Sequence, residues 1–448
     1  MLDRYFGITA SGSTVGREVR AGMATFLTMS YILFVNPDIL SKAIQVPNAF
    51  GQLLFATAMA SAIGSIVMGV MARYPFATAP GMGLNAYFTY TVCLTQKIPW
   101  QIALGAVFVE GIIFLVLSFG GIRQAVVNSI PRNLKYATAA GIGIFLCMIG
   151  LQQAGVVASH PVTHVTLGRM NDARVLIATA TLLLTSVLLI RKVPGAILFG
   201  IVFGSLLAVL SHAPVFKTAD GFAAFAGLPG GSPIAAPVMP TDIFLAMDVK
   251  GALSMGALAI VFTFLFVEIF DTAGTLIGLA DRAGYLDEDG NLPRGNEAFA
   301  ADAVATTVGA ALGTSTTTAY IESAAGIEEG GRTGFTAVVV GILFALSVFL
   351  WPLASAVPGA ATAAALILVG AMMATHLNQI NWDDYSEVIP AFLTMVAMPF
   401  TFSIANGISF GIISFVALKA LSGRAREIHP VMGILAVILI ARYIWLNE

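Results

Sequence analysis

Charge is what this sequence has least of. Only 10% of its 448 residues are Asp, Glu, Lys or Arg, against 58% hydrophobic. A soluble domain carries about 25% charged residues, and a chain this long with so few could not cover a water-facing surface. That excludes a secreted or cytosolic enzyme. Cysteine is nearly absent too: Cys93 and Cys147 both lie in apolar stretches and form neither a zinc spacing nor a disulfide framework. The net charge of −2 provides no basic face for nucleic acid. The opening MLDRYFGITASGSTVGREVR is polar and lacks a signal-peptide pattern. The five histidines fall in loops, so no membrane-buried histidine relay is expected.

What is present is a succession of apolar runs. A helix that crosses a bilayer needs about 20 apolar residues, and shorter runs serve as half-helices. The runs lie near 17–36, 51–72, 81–93, 101–119, 131–152, 175–190, 194–211, 252–277, 296–312, 317–327, 333–350, 360–375, 388–404 and 406–420. They predict an all-α polytopic membrane protein of fourteen segments. A further run, 430–446, follows a basic linker and suits either a span or an interfacial helix. Lys and Arg set orientation, because cytoplasmic loops are enriched in them. With the N-terminus inside, the inside loops hold fifteen and the outside loops six, so the N-terminus is expected in the cytoplasm.

The two halves resemble each other. Ala58 to Gly64 matches Ala303 to Gly309, Thr25-Phe26-Leu27 matches Thr263-Phe264-Leu265, and Phe199-Gly200-Ile201 matches Phe410-Gly411-Ile412. Asn85-Ala86-Tyr87 is set against Thr318-Ala319-Tyr320. Seven is odd, so the second repeat runs through the membrane inverted. Inverted repeats are a signature of secondary transporters, whose sites lie at the repeat interface near the midplane. Segments 3 and 10 begin Ala79-Pro-Gly-Met-Gly-Leu-Asn85 and Gly313-Thr-Ser-Thr-Thr-Thr318. Each reads as an extended stretch leading into a half-helix. Non-helical backbone at membrane depth survives only where protein or a cavity surrounds it.

Five acids lie inside apolar segments: Glu110, Glu268, Asp271, Asp302 and Glu322. A carboxylate at the bilayer centre costs about 3 kcal/mol, so these side chains face the interior. No Lys, Arg or His stands mid-segment to pair with them, a pattern of proton coupling or, second, of a sodium site. Glu268 and Asp271 are three residues apart and share a helix face, one toward substrate and the other toward coupling. Asp302 reads equally as their partner or as an interfacial residue. Glu110 sits in a bland helix and reads as structural. Glu322 opens the half-helix after the Thr-rich break. Asn85 offers both a donor and an acceptor, or else caps segment 3. Thr318 and its hydroxyl neighbours supply donors, though most of that run serves its own broken backbone.

Three strings then become familiar: GMGLNAYF at 81–88, FVEIFDTAGTLIG at 266–278 and GTSTTTAYIESAAGIEEGGRTG at 313–334. They resemble the purine permeases of the azaguanine-resistance type, a branch of the nucleobase–cation symporter 2 class related to the uracil and xanthine permeases. The resemblance runs from REVRAGMATFLTMSYILFVNP at 17–37 to about residue 420. It implies two inverted repeats of seven segments, with a core domain of segments 1–4 and 8–11 moving against a gate domain of segments 5–7 and 12–14. It also implies proton symport of adenine, guanine or hypoxanthine, with Asn85, the acid of segment 8 and Glu322 as binding residues; for segment 8 the register favours Glu268, with Asp271 one turn on.

The resulting expectations are definite. Residues 1–16 are a cytoplasmic N-terminus, 17–130 and 252–355 the core, and 131–211 and 356–420 the gate. Residues 212–251 form an extracellular loop and 421–448 a basic linker with the last apolar run. Asn85, Glu268, Asp271, Thr318 and Glu322 bind a neutral, N–H-rich purine; Glu268, Asp271 and Asp302 couple protons. No cofactor or metal is expected. The partners are the purine, the proton and the lipid bilayer of a plasma (bacterial inner) membrane, with a homodimer left open. An anion transporter of the same architecture is the alternative, and the midplane acids weigh against it. A passive channel would need no such acids, and an intramembrane enzyme would need a nucleophile–base pair that is not seen. Orientation is checkable: a cysteine placed at Asp220 should react with an impermeant thiol reagent in intact cells, and one at Asp289 should not. The reverse labelling overturns the orientation.

Overall fold

The structure, a computed structural model, describes residues 2–118, 131–213, 215–216, 232–254, 257–287 and 292–445. Asp220 and Asp289 lie outside the described residues. Segment 1 is Val15–Met29 followed by Ile32–Leu40, and segment 2 is Ala49–Val67 ending in a π-helical turn, Met68–Ala72. Segment 3 is strand β1, Thr78–Pro80, then helix Met82–Ala86 continuing as a π-helix, Tyr87–Thr95. Segments 4 and 5 are Trp100–Ser118 and Arg132–Ala154. A hairpin of β2, Val157–His160, and β3, His164–Leu167, leads to segments 6, Ala173–Ile190, and 7, Ala196–Leu210. Segment 8 is Leu258–Ala283 and segment 9 is Gly295–Leu312. Segment 10 is strand β4, Thr317–Ala319, and the short helix Ser323–Glu328. Segment 11 runs Gly334–Leu346 and on through Trp351–Ala356, segment 12 is Gly359–Ala374, segment 13 Tyr385–Thr401 and segment 14 Ile404–Leu421.

The chain is an all-α polytopic membrane protein. Among the described residues nine helices are long and apolar enough to cross a membrane. Segments 3, 7, 9, 10 and 13 fall short of that in length or apolarity. The sequence pattern predicted fourteen segments, and by this measure nine qualify as spans. Large apolar side chains point outward along the bundle, among them Ile190, Leu210 and Phe400, each at least 77% exposed. In water such a surface would be a liability; in hydrocarbon it is the matching one.

Packing displays the inverted repeat. Segment 2 packs on 9 and 11, segment 9 on 2 and 4, segment 1 on 11, and segment 8 on 4. Exchanging every number for the one seven away turns each of these pairs into another of them. The rest obey the same rule: segment 5 packs on 12, 13 and 14, and segment 12 on 5, 6 and 7. Segments 1, 2, 4, 8, 9 and 11 thus form one group and segments 5, 6, 7, 12, 13 and 14 another.

The repeats meet at a two-stranded antiparallel ladder, β1 against β4, in which Thr78 pairs with Ala319, Ala79 with Thr318 and Pro80 with Thr317. All six strand residues are buried. An unpaired backbone group there would cost several kcal/mol, and the pairing supplies its partner. Gly81 N–H donates to Thr316 O at 2.9 Å, and Tyr320 N–H to Ala77 O at 3.0 Å. Flanking segments close on the ladder through glycine. A side chain at Gly64 would strike Thr78 and Ala305, and one at Gly309 would strike Thr317. These two glycines are the pair that the repeat of segments 2 and 9 matched. The match of Asn85 with Thr318 does not hold. The ladder centres on Ala79 and Thr318, so Asn85, six residues beyond Ala79, corresponds to Ala324, six beyond Thr318. Small residues recur by chance in short strings, whereas a hydrogen-bonded register admits one correspondence.

One end of the first group is strapped by residues 232–254. Ala235 N–H donates to Phe349 O, Trp351 Nε1 to Ala236 O, Leu245 N–H to Ala311 O and Asp248 N–H to Gln101 O, all at 2.8–3.1 Å. Gln52 and Asp242 bond reciprocally at 2.5 and 3.0 Å. The strap thereby joins the ends of segments 2, 4, 9 and 11. At the opposite end, the carboxyl group of Glu18 receives Arg332 N–H, Thr333 N–H and the hydroxyls of Thr333 and Thr336, capping segment 11. The last helix, Pro430–Trp445, lies along segment 14, with the Tyr443 hydroxyl 2.8 Å from Asn406 Oδ1. The linker before it is held by ions. Arg424 Nη1 lies 2.6 Å from Asp384 Oδ2, and Ser386 with Arg424 holds that carboxyl well below the usual carboxylate range.

The glycine contacts give a stability prediction. Gly64→Val would push against Thr78 and displace β1, and overpacking of this kind costs about 1–3 kcal/mol. Its melting temperature in detergent should fall well below wild type. Gly433→Ala, where an added Cβ meets nothing within 4 Å, should melt like wild type.

Candidate substrate and coupling site

Segment 8 carries its two acids to different surroundings. Glu268 is fully buried and turned toward segment 9, where the Thr306 hydroxyl lies 3.3 Å from Oε1. The same hydroxyl sits 2.8 Å from Thr317 O in β4. Asp302, on segment 9, is also fully buried. Its Oδ2 receives the Thr272 hydroxyl at 2.5 Å, and that hydroxyl lies 2.9 Å from Thr318 Oγ1. A hydroxyl has one proton to give. Thr272 gives its proton to Asp302, so Thr318 donates to Thr272. Glu268 and Asp302 also hydrogen-bond each other, and the Ala319 backbone bonds Asp302.

Asp271 lies one turn on and is only partly buried. It interacts electrostatically with His376, in the turn that ends segment 12. Beyond it segment 8 fronts open space. A side chain at Gly274 would meet nothing within 4 Å, and one at Gly278 would meet only Ile321. Glu322 borders the same opening. It is the residue before helix Ser323–Glu328, and its Oε1 receives the Tyr31 hydroxyl at 2.8 Å. Tyr31 is placed by the break in segment 1 between Met29 and Ile32. The Tyr320 hydroxyl reaches Pro80 O at 2.5 Å, and Tyr320 interacts electrostatically with both Glu322 and Asp271. Two carboxyl groups and two phenols thus gather at the end of β4, on the side facing the second group of segments.

Asn85 sits elsewhere. Its amide donates to Asn36 Oδ1 at 2.6 Å and accepts from the Ser315 hydroxyl, while Asn36 donates to Thr57 and Thr314. Gly81, not Asn85, caps the helix of segment 3. Asn85 therefore links segments 1, 3 and 10 in a fully buried network. Among the hydroxyls after the break, Thr317 serves backbone, and Ser315 and Thr318 reach other segments.

Of the residues singled out in the sequence, Glu268, Asp302 and Thr318 are joined through Thr272 and Thr306. Asp271 and Glu322 share the opening, and Asn85 lies in its own network. Tyr31, Tyr320, Asn36, Thr272 and Thr306 were not foreseen. Asn36 had a signal, being a lone amide in an apolar run. The others are residue types common in membrane helices, and only the fold singles them out.

Comparison with known proteins bears on the fold and the family. The transmembrane domain of a cyanobacterium bicarbonate transporter, BicA, superposes with a TM-score of 0.63 at 14% identity, over 88% of this chain and 97% of that one. SLC26A9 gives 0.61 at 10% identity, over 94% of this chain and 68% of that one. These show the shared fold. In sequence, a permease of Methanocaldococcus jannaschii is 49% identical over all of this chain and 99% of its own length. The adenine permease AdeP of Escherichia coli is 40% identical over all of this chain and 97% of its own. The guanine/hypoxanthine permease PbuG of Bacillus subtilis is 41% identical over the full length of both. Residues 16–421 match the Permease family of xanthine–uracil type, and the chain belongs to that family.

Proposed function

We propose that this chain is a transporter, not an enzyme, and that it moves purine nucleobases by proton symport. The observation that carries the reading is the opening beside segment 8, where Asp271 and Glu322 face the same space with Tyr31 and Tyr320. A purine is neutral, flat and rich in N–H groups. Carboxylates accept from N–H, and such charge-assisted bonds are strong where water is excluded. The names of the relatives support the substrate class. The fold is also that of a bicarbonate transporter, but two carboxyl groups at the opening would repel an anion. We assign Asp271 and Glu322 to the base, with Glu268 turned inward beside Asp302 to hold the coupling proton. Thr318 connects the two sets through Thr272, and Asn85 fixes the half-helices.

Alternating access follows from the two packing groups as core and gate, with the boundaries given above. Between the groups, bonds form near one end of the bundle. Gln153 of segment 5 donates to Asp38 at 2.9 Å, and the Thr91 hydroxyl donates to Phe402 O at 2.8 Å. The strap also lies at this end, and the opening lies further along segment 8. With the N-terminus in the cytoplasm of a bacterial cell, this is an inward-facing form closed on the outside.

Two outcomes test the reading. Glu322→Gln replaces an acceptor by a donor, and losing a bond to a charged group costs about 1.5–3 kcal/mol, or about ten- to a hundredfold in affinity. Asp271→Asn should behave likewise, and Glu322→Asp should lose less. Titration calorimetry with adenine, guanine and hypoxanthine reads this directly; wild-type affinity in both Glu322→Gln and Asp271→Asn removes the site assignment. Uptake by proteoliposomes should rise with an inward proton gradient and collapse with a protonophore. Accumulation that ignores the proton gradient and follows sodium would overturn symport.

A further inference from the structure

Glu110, in the middle of segment 4, has no role in the site described above. It is fully buried, and neither of its carboxyl oxygens has a hydrogen-bond partner among the described residues. Burying a polar group without a bond destabilises a protein, so a purely structural residue here would be better replaced by leucine. Its location explains why a carboxyl group stands there. Gly111 lets segment 4 approach segment 9 so closely that a Cβ would lie 2.6 Å from Thr307 Oγ1 and 3.2 Å from the Thr306 methyl. Thr306 is the residue that touches Glu268. Glu110 interacts electrostatically with Asp302, and Glu268 with both. Three helices thus bring three carboxyl groups together: Glu268 and Asp302 share a hydrogen bond, while neither oxygen of Glu110 has a partner among the described residues.

The elements packed on segment 4 offer no compensating cation at this level. Segment 9 contributes Asp302, segment 8 contributes Glu268 with Asp271 beyond it, and segment 3 contributes no charge. The helix Val249–Ala252 carries Lys250, but it meets segment 4 near Gly105 and Ile102, more than a turn from Glu110. Three carboxylates cannot share a dry site without protons or a cation. Protons on them would also supply the O–H donors that the partnerless oxygens need.

We propose that Glu110, Glu268 and Asp302 form a proton store inside the core, in which Glu110 is the member remote from the substrate. The proposal rests on the symport reading. A proton leaving Glu268 passes to Glu110 or Asp302 as the neighbouring carboxylate becomes the acid, so charge and proton number balance within the triad. Asp302 then communicates with β4 through Thr272 and Thr318.

The test uses the full-length protein in proteoliposomes. In E110Q, adenine binding and adenine counterflow should match wild type. Proton influx per adenine should fall, the pH dependence of uptake should flatten, and Glu110→Asp should restore both. An E110Q that keeps the wild-type pH profile and proton influx overturns the proposal. Should E110Q fold too poorly to bind adenine, the infrared C=O band of carboxylic acid decides: a band that shifts between wild type and Glu110→Asp supports the store, and an unchanged spectrum overturns it. Wild-type protein that moves adenine without protons defeats symport itself, and the store falls with it.

Discussion

Everything in this bundle depends on one requirement: backbone amides at membrane depth must find partners where there is no water. A continuous helix meets it locally. Segments 3 and 10 do not, because each enters the bundle as an extended stretch. Their solution is mutual, β1 bonding β4. Neither repeat can satisfy its own break alone, so the halves are obliged to assemble. The ladder dictates the rest of the core. Segments 2 and 9 approach it through Gly64 and Gly309, segment 9 supplies Thr306 to its carbonyls, and Tyr320 locks onto Pro80. Two of the buried acids inherit their positions from it, since Glu322 follows β4 directly and Asp302 reaches it through Thr272 and Thr318.

The ladder also explains how one helix serves two environments. Glu268 and Asp271 are three residues apart and about 60° apart around an ideal helix. Segment 8 packs on segment 4 and touches β4, so this modest rotation is enough to turn Glu268 into the core and Asp271 toward the opening. Shared spacing on one helix face is therefore compatible with separate surroundings, because the face is divided by what packs on it.

Much of this was legible beforehand. Scarce charge and repeated apolar runs gave the membrane and the helices; the glycine- and threonine-rich starts of segments 3 and 10 gave the breaks. The acids stood out because hydrocarbon tolerates few. What escaped notice was of two kinds. Thr272, Thr306, Tyr31 and Tyr320 matter through partners distant in sequence, and nothing local marks them. Asn85 was visible, but its partners Asn36 and Ser315 were needed to show a buried network. Glu110 looked bland for the same reason, since its significance lies in what segment 9 brings beside it. The criterion also stops short of fourteen spans: segments 3 and 10 are entered through a strand, segments 7 and 13 are too short, and segment 9 is too polar.

The strap at 232–254 breaks a symmetry that the repeats would otherwise keep. It ties segments 2, 4, 9 and 11 together at one end, through Ala235, Asp242, Leu245 and Asp248. Two faces related by the two-fold axis of matched repeats would present equal resistance to bending. The strap braces one face across four segments, where the Glu18 cap at the other end joins two. The asymmetry is written into a connecting loop and not into the helices it connects.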